Sequence, residues 1–230
     1  MATTKNLCAQ IPIALHERVS EERERLGQTT SEYIANLIQE YYNMIENQKG
    51  GIHMTEKSRT MAVSEVIKKM VAYSEGNLHD INHFMKVYAY AKTIAEGENL
   101  NPELQKLVEV TAVVHDIACP LCRVKYGNTN GKHQEEESAA LLEEFFKDSD
   151  LPKEFTDRVS YIVSHHHTID GIDGIDYQIM IEADYLVNAD ESNFSGNNVR
   201  NMLEKVFKTE TGKFLLKSMY QKRLDSAEEK

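Results

Sequence analysis

Apolar residues recur three and four positions apart through most of residues 61–224, which is the spacing of an α-helix with one buried face. Pro102 and Pro152 stand where two of these helices should begin, a position that proline favours. No window in this part of the chain alternates as a strand does, so the sequence predicts an all-α domain over residues 61–230. Its helices are expected at 61–75, 79–98, 102–118, 134–148, 153–165, 175–190, 197–207 and 209–223.

The first part of the chain has a different pattern. Residues 7–11 alternate between apolar and polar, as on a strand with one buried face. A helical pattern then ends at Gly27, and residues 29–31 can cap a second helix. We therefore predict a strand-helix-helix unit over residues 1–48. The polar stretch that follows, residues 49–60, contains a glycine pair and is interpreted as a linker.

A unit of roughly 45 residues with one strand cannot bury its own apolar faces, so we expect a homodimer formed through it. Its order of elements resembles the ribbon-helix-helix family of DNA-binding dimers, which pair their strands between two chains. The resemblance makes DNA a candidate partner, read by outward residues such as Asn6 and Gln10. Residues 1–50 carry 5 basic against 7 acidic residues, however, which favours dimerisation over tight phosphate binding.

Composition narrows the class of protein. The net charge of −11 predicts no broad basic surface for nucleic acid. No apolar run approaches the roughly 18 residues of a membrane span, and the first residues lack the pattern of a signal peptide. Three cysteines cannot all pair within one chain and suit a reducing compartment, so we expect a cytoplasmic protein.

Several histidines and acids lie where burial would require a partner. His115 and Asp116 end the apolar run VEVTAVV, and Asp184 lies inside the apolar segment IEADYLVN. An unpaired buried carboxylate is costly, whereas a metal ion would satisfy both His115 and Asp116. A second His-Asp pair, at His79, opens a helix and is the weaker candidate. Imidazole and carboxylate ligands together suit Mn, Fe, Ni, Co, Zn or Mg.

The order of these residues resembles the HD phosphohydrolase superfamily, whose pattern is a His, a His-Asp pair and a distant Asp. The positions that match are His83, His115 with Asp116, and Asp184, within the segments HFMKVYAYAKTIA, VVHDIA and IEADYLVN. The resemblance implies an all-helical bundle, a divalent metal and hydrolysis of a phosphate ester. The Ile-Ala-Cys-Pro that follows Asp116 departs from the branches with known substrates, so no substrate is carried over.

Some branches of that superfamily bind two metals through further histidines, and His133 and the run at 165–167 match that arrangement. We expect Asp116 to bridge the two ions. His166 continues the apolar face of the preceding helix, so we expect it to point inward with His133, and His167 to turn toward solvent. His165 flanks that face and is kept as an alternative ligand. The count of one or two ions stays open.

Arg123 and Lys125 follow the His-Asp pair closely and are candidates to contact a phosphate in catalysis. Cys119 and Cys122 have the spacing of a redox or zinc pair. With no second such pair, incidental thiols beside the metal site are the favoured interpretation.

Two functions are consistent with these patterns. The first is a metal-dependent phosphohydrolase that acts on a nucleotide or another small phosphate ester through a metal-activated water. The alternative is a DNA-binding regulator whose HD-type domain senses a metal or a nucleotide. Retention of the complete metal-ligand set favours the first.

Overall fold

The computed structural model describes residues 11–49 and 60–228, and within these ranges helices are the only regular secondary structure besides turns. The chain divides into two compact units, Met1–Arg59 and Thr60–Lys230. An all-α architecture is therefore confirmed for the described residues.

The first unit contains helix α1, Ile13–Arg25, and helix α2, Thr30–Lys49. Gly27 ends the first with a φ of 67° that glycine adopts without strain. Glu32 Oε2 accepts hydrogen bonds from Thr29 N at 2.9 Å and from Thr29 Oγ1 at 2.8 Å, which caps the second helix as predicted.

The predicted strand of this unit finds no support. Residues 7–10, which include Gln10, and Asn6 before them lie outside the described residues, and Ile11 belongs to neither a strand nor a helix. No strand occurs in 11–49 or 60–228. The ribbon of the expected ribbon-helix-helix arrangement is thus missing from the part of the chain that the structure describes, and only the two helices are as expected.

The helices of the first unit leave their apolar side chains open. Helix α1 contains no buried residue, and Ile13 is 79% exposed. Two helices without a third element bury little of an amphipathic face. The other large apolar side chains exposed there are Leu15, Leu26, Leu37, Ile38, Tyr41 and Tyr42.

The second unit is a bundle of nine helices within residues 60–228, in place of the eight predicted. The added helix, Cys119–Tyr126, lies between the predicted helices 102–118 and 134–148, with Pro120 in its first turn. The helices are α3 Val63–Tyr73, α4 Leu78–Gly97, α5 Pro102–Val114, α6 Cys119–Tyr126, α7 Gly131–Phe146, α8 Lys153–Val163, α9 Ile175–Glu191, α10 Gly196–Lys205 and α11 Glu210–Glu228.

Helix α5 lies at the centre of this bundle and packs against α3, α4, α8 and α9. Its residues from Leu107 to Val114 are all buried, which explains why six of these eight residues are apolar. Each fully buried valine contributes about 1.5–3 kcal/mol relative to an exposed one. The side chain of Asn101 caps its start, accepting from Leu104 N at 2.9 Å. His115 and Asp116 follow its last turn and are carried into the interior.

A buried carboxylate ties helix α9 to the segment before α11. Glu182 is fully buried, and its Oε1 accepts from the backbone N–H groups of Lys208 at 2.6 Å and Thr209 at 3.0 Å. Thr209 Oγ1 also donates to Oε2. These bonds compensate the cost of burying the charge, so Glu182 has a structural role.

Candidate metal centre

Three helices bring four predicted ligands together. His83 lies on α4, His115 and Asp116 follow α5, and Asp184 lies on α9. His83 Nε2 is 3.2 Å from Asp184 Oδ1, 3.3 Å from His115 Nε2 and 3.5 Å from Asp116 Oδ2. His115 Nε2 is 3.5 Å from a carboxylate oxygen of each aspartate. These four side chains are called the first ligand group.

The other ring nitrogen of each histidine in this group is already engaged. His115 Nδ1 donates to the backbone oxygen of Ala112 at 2.9 Å, and His83 Nδ1 donates to Glu191 Oε2 at 2.8 Å. Both bonds place a proton on Nδ1, so Nε2, which faces the carboxylates, is the ring nitrogen available to ligate a metal ion. Lys86 in turn holds Glu191, with Nζ 3.0 Å from Oε1.

Glu191 was not found from the sequence. It lies seven residues after Asp184 on α9, two helical turns along the same face. That spacing was the available signal, because a carboxylate there can reach the histidine that faces Asp184. Orientation of a histidine ligand by a carboxylate is common at metal sites.

The electrostatics of the group call for a cation. Burial lowers the pKa of His83, but Asp184, Asp116 and Glu191 outweigh this and raise it to about 9. Burial raises the pKa of the Asp184 carboxyl, but the facing histidines outweigh this and hold that pKa well below its usual range. Two carboxylates so close together need positive charge nearby.

A second ligand group shares Asp116 with the first. Ligand atoms of Asp116, His166 and His167 lie within 4.8 Å of one another. His166 is buried, and its Nδ1 donates to the backbone oxygen of Val163 at 2.7 Å. Its Nε2 has no hydrogen-bond partner among the described residues and is 3.8 Å from Asp116 Oδ1. A buried nitrogen without a partner is costly unless something binds it.

His167 is exposed, in agreement with the expectation that it turns toward solvent. It also borders the cavity above the first ligand group, and its ring packs against that of His166 with centroids 3.9 Å apart. Its backbone N–H donates to Glu135 Oε1 at 3.1 Å. A Cβ on Gly131 would lie 2.6 Å from the ring, so only glycine permits this packing.

His133 and His165 are not in either ligand group. The helix begins at Gly131, capped by Asn130, so His133 lies within its first turn, and its ring stacks on Tyr126 at 3.9 Å. His165 is exposed, and its Nδ1 donates to the backbone oxygen of Tyr161 at 2.7 Å. The structure thus groups His167, and neither His133 nor His165, with Asp116 and His166.

Both ligand groups border or underlie a cavity of about 280 Å³. Arg123 lines this cavity and pairs with Asp80, while His79 lies at its edge with its side chain 77% exposed. Lys125 points elsewhere: its Nζ is 2.6 Å from Glu137 Oε1, and it does not line the cavity. Of the two residues predicted to contact a phosphate, Arg123 lines the cavity and Lys125 does not.

Cys119 and Cys122 are buried free thiols. Cys119 lines the cavity, and its thiol donates to Gln134 Oε1 at 3.2 Å. Burial raises the pKa of Cys119 far above its ordinary value, which makes it a poor metal ligand and nucleophile. This agrees with the interpretation of incidental thiols.

The residues present fit a divalent metal. Two histidines whose Nδ1 atoms are engaged elsewhere, with their Nε2 atoms beside two carboxylates, form a mixed N and O donor set, which such ions prefer. The unpartnered His166 Nε2 fits a further ligand position beside Asp116. His83, His115 and Asp116 could hold a metal ion.

Comparison with known proteins agrees with this geometry. Residues 80–189 match the HD domain family. A solved structure titled as a predicted HD superfamily hydrolase, from an uncultured Thermotogales bacterium, is similar in fold with a TM-score of 0.52 and 19% identity. The similarity covers 72% of this chain and 89% of that one. No curated protein matches the sequence.

Within the described residues, no helix is both long and apolar enough to cross a membrane.

Proposed function

We propose that the chain is a metal-dependent phosphohydrolase that acts on a nucleotide or another small phosphate ester. The observation that carries the proposal is the first ligand group, two histidines and two aspartates whose free ring nitrogens face the carboxylates beside a cavity. The HD domain match and the likeness to a predicted HD hydrolase support a metal-dependent hydrolase in general.

In this proposal His83, His115, Asp116 and Asp184 hold one divalent ion, and Asp116 with His166 and His167 holds a second. A bound divalent ion supplies an activated water and Lewis acidity toward a phosphoryl oxygen. Glu191 and the Ala112 carbonyl keep the two histidines of the first group in the ligating tautomer.

Arg123 has the role of a phosphate clamp. Its guanidinium lines the cavity and carries five N–H donors, enough to bond a phosphoryl group while it stays near Asp80. A cation beside the equatorial oxygens offsets the charge that develops on them during transfer. Asp80 orients this cation and prevents it from turning out to solvent.

The test begins with metal analysis of the purified protein. The stripped protein is then reloaded separately with Mn, Fe, Ni, Co, Zn and Mg and assayed against nucleotides and simple phosphate esters. We expect hydrolysis that EDTA abolishes and that metal restores. A fully loaded protein that hydrolyses none of these esters would overturn the proposal.

We also propose that the first unit forms a homodimer. The exposed apolar side chains of α1 and α2 support this, because an uncovered amphipathic face favours association. Light scattering on a chain that starts near Met54 tests it: we expect a smaller oligomer than the full chain forms. An unchanged oligomeric state would contradict the proposal.

We further propose that the protein is located in the cytoplasm. The free thiols of Cys119 and Cys122 support this location, because free thiols suit a reducing compartment.

A further inference from the structure

An open groove of about 640 Å³ lies beside the metal-site cavity. Its walls come from the turn between α3 and α4 and from helix α6. Small-molecule sites usually occupy about 300–1,000 Å³, so the 280 Å³ cavity is small for a whole nucleotide whereas the groove is ample. The two spaces together suit a ligand with a compact end and a bulky end.

Arg123 borders both spaces, and a short chain of hydrogen bonds holds it at their boundary. Arg123 Nη2 donates to Asp80 Oδ2, and Asn77 Nδ2 donates to the same oxygen at 3.1 Å. Asn77 is fixed because its Oδ1 caps α4, accepting from His79 N at 3.1 Å. A phosphate held by Arg123 in the cavity would therefore have its ester substituent next to the groove.

The groove walls suit a flat, partly apolar group. Pro120, Leu121 and Val124 line one side, and Val124 is 88% exposed. Tyr73 lines the other side, and its ring is held edge-on against Phe145 at 6.2 Å. An aromatic side chain opposite apolar ones offers a stacking surface for a nucleic-acid base.

A polar group completes the groove. Glu75 lines it from the turn before α4. A carboxylate in such a position can accept hydrogen bonds from ribose hydroxyls, as acidic residues do in dinucleotide-binding folds. The combination of stacking faces and one acceptor distinguishes a nucleoside from a purely aliphatic group.

We infer that this groove binds the nucleoside of a nucleotide whose phosphate occupies the metal-site cavity. The inference rests on the proposed function for the role of the cavity, and it narrows the substrate class to nucleotides. Arg123 would then contact the phosphate at the boundary, and Tyr73, Leu121 and Val124 would determine specificity for the leaving group.

Two phosphonates test the groove by calorimetry on the metal-loaded protein. One is the 5′-methylenephosphonate analogue of adenosine monophosphate, which cannot be hydrolysed, and the other is methylphosphonate, which lacks the nucleoside. We expect the nucleoside phosphonate to bind more tightly. Val124→Glu should reduce the ratio of the two affinities roughly tenfold, within the range that loss of base stacking and apolar contact produces.

Phe214→Glu is the matched control, because Phe214 is also an exposed apolar residue, 67% open, and does not line the groove. It should keep the wild-type ratio. Tyr73→Leu, which keeps an apolar side chain but removes the aromatic face, should lower the ratio as well. Equal binding of the two phosphonates by the wild type, or equal ratios in Val124→Glu and Phe214→Glu, would overturn the inference.

These outcomes are separate from those of the proposed function. If the metal-loaded protein hydrolyses no ester but shows the expected affinity ratios, the inference about the groove stands and the proposed phosphohydrolase function fails. If the protein hydrolyses simple esters but Val124→Glu leaves the affinity ratio unchanged, the proposed function stands and the inference about the groove fails.

Discussion

The two ligand groups of the metal centre differ in where their residues lie on the helices. In the first group, His83 and Asp184 lie within long helices, and His115 follows directly on a helix that is buried along its length. In the second group, His166 and His167 follow the end of α8 at Val163, and their surroundings come from the start of α7.

That difference explains which ligands the sequence could locate. Within a helix, periodicity relates a polar residue to the apolar face and so predicts its direction. Beyond the end of a helix that relation no longer holds, and contacts distant in sequence determine which side chain points inward. His166 is buried as predicted, but the grouping of His167 rather than His165 with it depends on such distant contacts.

The largest effect should come from residues of the first group. We expect His115→Ala and Asp116→Ala to abolish metal binding and hydrolysis while the domain stays helical, because both side chains lie within 3.5 Å of His83 Nε2 at the centre of the first ligand group. Metal content, activity and circular dichroism measure this.

His79→Ala is the control for that pair, since the His79 side chain is 77% exposed and belongs to neither ligand group. Full activity in both His115→Ala and Asp116→Ala would contradict the assignment. A loss in His79→Ala as large as in His115→Ala would show that the other His-Asp pair is the functional one.

Substitutions in the second group should have a smaller effect. We expect His166→Ala to reduce the metal content from two ions per chain to one and to leave the first site filled, because only the second group uses His166. The neighbouring His165→Ala should keep both ions. Anomalous scattering at the metal edge of wild-type crystals gives the count directly, and a single peak distant from His166 and His167 would refute the two-metal arrangement.

The residue that orients His83 offers a finer test of the first group. Glu191→Ala should weaken binding of the first ion by roughly 10–100-fold, the usual range for a carboxylate that orients a histidine ligand. Glu191→Gln retains an acceptor for His83 Nδ1 and should recover part of the affinity. Asp190→Ala, beside it on the exposed surface, is the control, and equal affinities in Glu191→Ala and Asp190→Ala would rule out the orienting role.

The smallest effect should come from the packing of His167. A Cβ at Gly131 would overlap its ring, and overpacking of this kind costs about 1–3 kcal/mol when it is not relieved. Because the ring can rotate away, we expect Gly131→Ala to weaken only the second ion, by roughly tenfold or less. Gly171→Ala, where the nearest atom is 3.9 Å away, should leave both affinities unchanged. A titration that gives the same two affinities in both variants would show that Gly131 does not position His167.

Some expectations failed because they depended on where a helix begins or on a partner distant in sequence. His133 was placed before a helix, but the helix starts at Gly131, so its side chain meets Tyr126 instead. Lys125 lies near the His-Asp pair in sequence, yet the added helix α6 turns it toward Glu137. Glu191 could be identified only from the packed structure, which shows that it faces His83.

The sequence alone determined the helical class of the second unit and the four residues of the first ligand group. Helical periodicity, a local property, placed His115, Asp116 and Asp184 in apolar segments, and the resemblance to the HD pattern added His83. Only the tertiary structure decided that His167 joins Asp116 and His166, that Glu191 orients His83, and that a groove lies beside Arg123. Each of these depends on side chains from separate helices that meet only when the bundle packs, and packing is determined by the shapes of all the buried residues together.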